Sequence, residues 1–251
     1  MKTRLTTVGT ILSLTVAAWG CAPHPPGSSD HPQGASVPAT ARAAGPALGA
    51  LKTLPVKGRV PQTGYDRTDK FGPAWSDVTT APGGHNSCDT RNDILIRDLR
   101  DVRFRAGSHC TVASGTLPDP YTGRNIVFTR GPRTSLAVQV DHVVALSDAW
   151  QTGARALTQQ QREALANDPL ELVAASGPAN TQKSDADAAS WLPANKAFRC
   201  TYVARQIAVK AKYRLWITPT ERTAMARVLT VCPDLQLPRD DSQGVALNTP
   251  T

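Results

Sequence analysis

The sequence predicts an α+β domain, and three observations lead there. Short β-branched runs, NIVFTR (residues 125–130), TSLAVQV (134–140) and LELVAA (170–175), have the length and composition of strands. Around them lie segments with helical spacing and helix-start signals, and four cysteines fall within the same region. The 251 residues with 40% hydrophobic content suffice for a core, and no internal repeat is visible.

The ends do not read as globular. Residues 1–21 carry Lys2 and Arg4, then the apolar run LTTVGTILSLTVAAWG, then Cys21, the pattern of an export signal. The run is too short and interrupted for a permanent membrane span. Gly20 before Cys21 suits a lipoprotein cleavage box, whereas Trp19 and Ala18 match it poorly. Secretion and membrane attachment through a lipidated Cys21 both stay open, and both put the protein outside the cytoplasm. Residues 22–55, dominated by Pro, Ala, Gly and Ser, read as a disordered tether that cannot bury enough apolar surface to offset chain entropy. His24 and His31 are solvated bystanders there. Residues 237–251 read as a flexible tail, which leaves residues 56–236 as the domain.

Within that domain the elements follow in order. YDRTDKFGPAWSDV (65–78) is polar with interleaved aromatics and reads as ordered. CDTRNDILIRDLRDVRF (88–104) spaces Ile94, Leu95, Leu99 and Val102 as a helix or turn running into a strand. NIVFTR and TSLAVQV read as a hairpin or a pair of strands in one sheet, the second of which delivers Asp141 and His142. Thr158 with Gln161 matches a capping box before a helix that Pro169 ends. LELVAA is then a short buried strand, Gly177-Pro178 a turn, and ANTQKSDADAASW a helix start. AFRCTYVARQIAVKAKYRLW (197–216) is a long helix with Phe198, Tyr202, Ile207 and Ala211 toward the core, and Arg199, Arg205, Lys210, Lys212 and Arg214 largely elsewhere. Thr218, Pro219 and Glu221 start a last helix, ERTAMARVL.

Cys88, Cys110, Cys200 and Cys232 are an even set in an exported chain, so two disulfides are the natural reading. Of the three connectivities, Cys88–Cys110 and Cys200–Cys232 close the shortest loops. A four-cysteine zinc site competes poorly because no CxxC knuckle is present. The formal net charge of +8 favours attraction to polyanions, a modest argument alone because many exported proteins are basic.

A strand ending in Asp-His, an insertion, a short strand, a turn and a helix opening with Asn180 and Lys183 now stand in order. At DHVVAL, DPLELVAA and NTQKSD the sequence resembles the HNH, or His-Me finger, endonucleases. The closest likeness is to exported actinobacterial proteins related to the C-terminal domain of GmrSD restriction enzymes. It is carried also by YDRTDKFGPAWSDV, CDTRNDILIRDL, DPYTG and TQKSDADAASWLPANKAFRCTYVARQIAVKAKYRLW, over nearly all of residues 65–232.

The resemblance implies a ββα-metal nuclease core with additional helices, acting on DNA, with RNA also open, at low sequence specificity. Phosphodiester hydrolysis needs an activated water and stabilisation of charge on phosphorus. His142 is expected as general base, with Asp141 and Asn180 as ligands to a hard divalent cation, Mg²⁺ or alternatively Mn²⁺. Adjacent strand residues point to opposite faces, so Asp141 and His142 share a site only if the strand twists or ends there, as the resemblance implies. The position expected to hold an Asn that orients the base carries Glu171, with Asn167 as the alternative in another register. Lys183 is either a phosphate contact or a solvated side chain. Asp185 and Asp187 read as favouring a helix N-terminus, Arg91, Asp89 and Asp93 as a structural network, His85 and His109 as surface residues, and the tryptophans as core. The competing function is a catalytically weakened nucleic-acid-binding module of the same fold. No GxSxG, HExxH or Walker loop supports another hydrolase, and no obligate protein partner is expected.

Overall fold

The computed structural model describes residues 46–238. The folded part starts before the boundary expected at residue 56, with helix α1 (Ala47–Thr53). Ala47, Leu51 and Leu54 recur at helical spacing inside the Pro- and Gly-rich composition, and all three are buried. The Ala47 amide donates to the Leu235 carbonyl at 2.7 Å, tying this helix to the chain after the last one.

Helix α2 (Arg67–Phe71) is capped by Asp66 and helix α3 (Thr90–Asp98) by Asp89. α3 runs into strand β1 (Arg100–Phe104), which pairs antiparallel with β2 (Val112–Pro118). β2 in turn pairs with β3 (Asn125–Thr129). The hairpin expected between NIVFTR and TSLAVQV does not form. β3 takes its partner from VASGTLP, whose Gly and Pro hid a strand, and Thr134–Ala137 makes a short 3₁₀ turn.

Strand β4 (Val138–His142) pairs antiparallel with β5 (Leu172–Ser176), from Val138 opposite Ser176 to His142 opposite Leu172. The insertion between them holds α4 (Leu146–Gln151) and α5 (Gln159–Asn167). Both reciprocal bonds of the Thr158/Gln161 capping box are present. Gly177-Pro178, expected as a turn, is instead the first turn of α6 (Gly177–Lys183), with Ser176 as its cap. The order strand, strand, helix is therefore built as β4, β5, α6.

β4–β5 is buried on both faces. Val138, Val140, Leu172 and Ala174 join α3 and the three-stranded sheet in one cluster. Val173 and Ala175 face a larger cluster with α1, α7 (Arg199–Lys212) and α8 (Pro219–Leu229). This double burial explains why LVAAS is a continuous small and apolar run rather than an alternating one. On α7, Tyr202 and Ile207 are buried as expected, while Ala211 is exposed. Lys210 is fully buried, because Asp148 and Glu221 meet its ammonium at 3.2 and 2.7 Å. Both expected disulfides are present, Cys88–Cys110 and Cys200–Cys232, with Cα separations of 5.3 and 6.5 Å. Among the described residues no helix is long and apolar enough to cross a membrane.

Candidate active site

Helix α6 lies along β4, and two periodicities mesh there. Residues three apart on a helix share a face, as do residues two apart on a strand. Asn180 and Lys183 consequently meet Gln139 and Asp141. The Asn180 amide donates to Gln139 Oε1 at 2.9 Å, and Lys183 Nζ donates to Asp141 Oδ1 at 3.0 Å and to the His142 carbonyl at 2.8 Å. The Tyr121 hydroxyl donates to Asp141 Oδ2. Asp141 is 5% and Lys183 1% exposed, so this is a buried, fully engaged ion pair. Burial pushes the Asp141 carboxyl above its ordinary range, opposed by Lys183 and the Tyr121 hydrogen bond.

His142 occupies the other face. The ladder stays regular through Asp141 opposite Val173 and His142 opposite Leu172, so the two side chains diverge as strand alternation requires. β4 does end at His142, as one of the two conditions for a shared site required, but the ladder is regular up to that end. His142 Nε2 lies 2.9 Å from the Ala166 carbonyl, which can only accept, so Nε2 carries the hydrogen and Nδ1 keeps the lone pair. The ring stacks near-parallel on Trp75, with centroids 5.8 Å apart, and the Arg67 guanidinium lies 5.9 Å from the Trp75 centroid. Burial above all, then the Arg67 charge and more weakly Lys183, lower the imidazole pKa to about 3, against the Ala166 bond.

Neither expected orienting side chain reaches the ring. Glu171 is fully buried and its Oε2 accepts the Val144 amide at 3.2 Å, while Oε1 has no hydrogen-bond partner among the described residues. Burial holds its carboxyl well above the ordinary range, which favours the protonated form. Asn167 donates to the Glu163 carbonyl at 2.9 Å. The Asn167 Oδ1 has no hydrogen-bond partner among the described residues, and the residue lines a narrow crevice with Arg67, Trp75 and Ala166. The group that aims His142 is thus a main-chain carbonyl, one residue from the Asn167 alternative. Sequence cannot reveal a main-chain role, and Trp75, read as core, is only half-buried here. Tyr121 had a signal: a Tyr buried for packing needs a hydrogen-bond partner for its hydroxyl.

The donor set expected for a hard cation does not fit one as arranged. Both Asp141 oxygens are taken by Tyr121 and by an ammonium, and a divalent cation at Oδ1 would face Lys183 across a buried, low-dielectric gap. The Asn180 amide nitrogen is engaged by Gln139. Asp187 is committed to Arg59 at 2.9 Å, and Asp185 is exposed. Elsewhere, Cys88, His109 and Cys110 bring three donor atoms within 4.8 Å of one another. That trio could coordinate a divalent metal with its thiols reduced. In this structure the two sulfurs are bonded to each other.

Residues 89–228 match the family described as GmrSD restriction endonucleases, C-terminal domain. A protein of Arthroderma benhamiae described as an uncharacterized secreted protein is 35% identical over 184 residues, 72% of this chain and 82% of that protein. No solved structure matches the chain.

Proposed function

From the premise that the chain belongs to the family of GmrSD restriction endonuclease C-terminal domains, we propose that it is an exported nuclease that hydrolyses nucleic-acid phosphodiester bonds with low sequence preference. His142 is its general base. The observation that carries this reading is the state of the imidazole. Burial and the Arg67 charge favour the neutral ring, its Nε2–H is pinned to the Ala166 carbonyl, and Nδ1 is left as the proton acceptor. Arg67 is exposed beside the Trp75 ring that covers His142 and attracts a phosphate. A docked phosphodiester neutralises the Arg67 charge, the second cause after burial that holds the imidazole down. The secreted description of the fungal relative, the two disulfides and the signal-like residues 1–21 support export.

A second reading is favoured by one observation. In the closed Asp141–Lys183 pair both carboxylate oxygens of Asp141 are engaged, as expected of a module that binds nucleic acid without turning it over.

Incubating the purified full chain with plasmid and single-stranded DNA, beside His142→Ala, separates the two. Cleavage that falls by about 10²–10⁴-fold in the variant supports the base assignment. Undiminished cleavage in His142→Ala overturns it, and retained binding without cleavage in the parent selects the binding module. Parallel reactions with Mg²⁺, Mn²⁺ or EDTA measure metal dependence separately. Loss of cleavage in EDTA would show that the reaction needs a cation.

A further inference from the structure

The three-stranded sheet β1–β2–β3 turns one face to the core and leaves the other uncovered. Val112, Leu117 and Phe128 point inward, while β1 is exposed along most of its length and Asn125, Val127 and Thr129 of β3 are exposed. Cross-strand partners share a face, and the register gives two outward rows: Arg100, Thr116 and Val127, then Arg103, Ser114 and Thr129. Two irregularities in the β1–β2 ladder, on either side of Arg103, keep both arginines opposite outward residues of β2 despite their odd spacing. Among the described residues no ion pair joins Arg100, Arg103, Arg105 or Arg124 to a carboxylate, although seven such bridges form elsewhere. An exposed arginine pays little desolvation to meet a phosphate, and hydroxyls and an amide beside it donate to the remaining phosphate oxygens. Val127, 72% exposed, lies in the same row as Arg100 and offers apolar contact to a base.

We propose that this outer face is a docking surface for single-stranded nucleic acid, with Arg100 and Arg103 on consecutive phosphates and Val127 against a base. The proposal rests on the nucleic-acid reading above and deepens it. Charge complementarity selects a polyanion, and the apolar side chain in the arginine row selects a strand whose bases are unpaired, since a duplex hides them.

The test is fluorescence anisotropy of the full chain with a labelled single-stranded oligonucleotide over a range of salt concentrations. The parent is compared with Arg100→Ser/Arg103→Ser and with Lys196→Ser/Arg227→Ser. The last pair removes the same charge from a separate cavity of about 470 Å³ between α7 and α8. The Arg100/Arg103 variant should bind roughly threefold to tenfold more weakly, with the log affinity against log salt slope smaller by about 1.4, the value for two lost phosphate contacts on a single strand. Its thermal midpoint should match the parent's, because both side chains are exposed and make no ion pair among the described residues. The Lys196/Arg227 variant should bind as the parent does. Unchanged affinity and slope in the Arg100/Arg103 variant, equal weakening by the Lys196/Arg227 pair, tighter binding of a duplex than of the single strand, or no binding by the parent overturns the surface. Hydrolysis of a small phosphodiester, bis(p-nitrophenyl) phosphate, reads the other hypothesis. Hydrolysis with normal binding by the Arg100/Arg103 variant sinks the surface alone, and absent hydrolysis with the predicted binding loss sinks the catalytic reading alone.

Discussion

At the scale of single residues, His142 and Lys183 show how neighbours override residue type. A histidine at a strand end titrates near 6.5 when solvated, yet here burial and the Arg67 charge hold it at about 3. The native ring therefore stays neutral where the unfolded chain takes up a proton, so stability is full above pH 6.5 and falls as the pH drops toward 3. The loss approaches ~1.4 kcal/mol per pH unit within that window. Urea unfolding at pH 7.5, 5.5 and 4.5 should give a steeper acid loss for the parent than for His142→Gln, and parallel losses would refute the assignment. The difference between the two proteins isolates His142 from Glu171, whose raised carboxyl works in the opposite direction, stabilising at low pH and losing that contribution as pH rises. Asp141 and His142 stood out in DHVVAL as adjacent titratable residues at a strand end. That Lys183 closes on Asp141 instead of meeting solvent or phosphate was not legible, because a lysine's exposure depends on how its helix is seated.

At the scale of elements, what decides the site is the seating of α6 on β4. Gly177 makes it possible: a Cβ built there would lie 2.0 Å from the Leu136 carbonyl oxygen, a clash with main chain that no rotamer relieves. Gly177→Ala should cost about 1–3 kcal/mol by overpacking and loosen the Asn180–Gln139 and Lys183–Asp141 contacts together. Chemical denaturation reads the loss, and an unaltered midpoint would show that the close approach is not needed. Helix signals with a local cause were legible, including the Thr158/Gln161 and Thr218/Glu221 capping boxes. β2 was not, since VASGTLP becomes a strand only when β1 and β3 flank it. The mistaken hairpin had the same origin: two β-prone runs adjacent in sequence need not pair, and NIVFT found a longer ladder elsewhere.

At the scale of the whole molecule, β4–β5 joins two cores, and a disulfide braces the structure around each. Cys88–Cys110 ties the loop before α3 to the segment before β2, and Cys200–Cys232 ties α7 to the chain after α8. Each closes a loop whose loss typically costs about 2–4 kcal/mol. A chain lacking residues 1–21 and made in a reducing cytosol should fold poorly, with a lower thermal midpoint than the oxidised protein and little nuclease activity. Equal midpoints and full activity in the reduced protein would contradict this. The α+β class, the even cysteine set, the capped helices and the family likeness were determined by the sequence alone, because each rests on composition, periodicity or a short motif. Tertiary structure decided the rest. It placed Asp141 and His142 on opposite faces, gave Lys183 to Asp141, and made the Ala166 carbonyl the group that aims the imidazole. Strand register and helix seating are set by contacts between residues far apart in the chain, and those contacts fix which polar groups meet, which are desolvated and which stay open to a substrate.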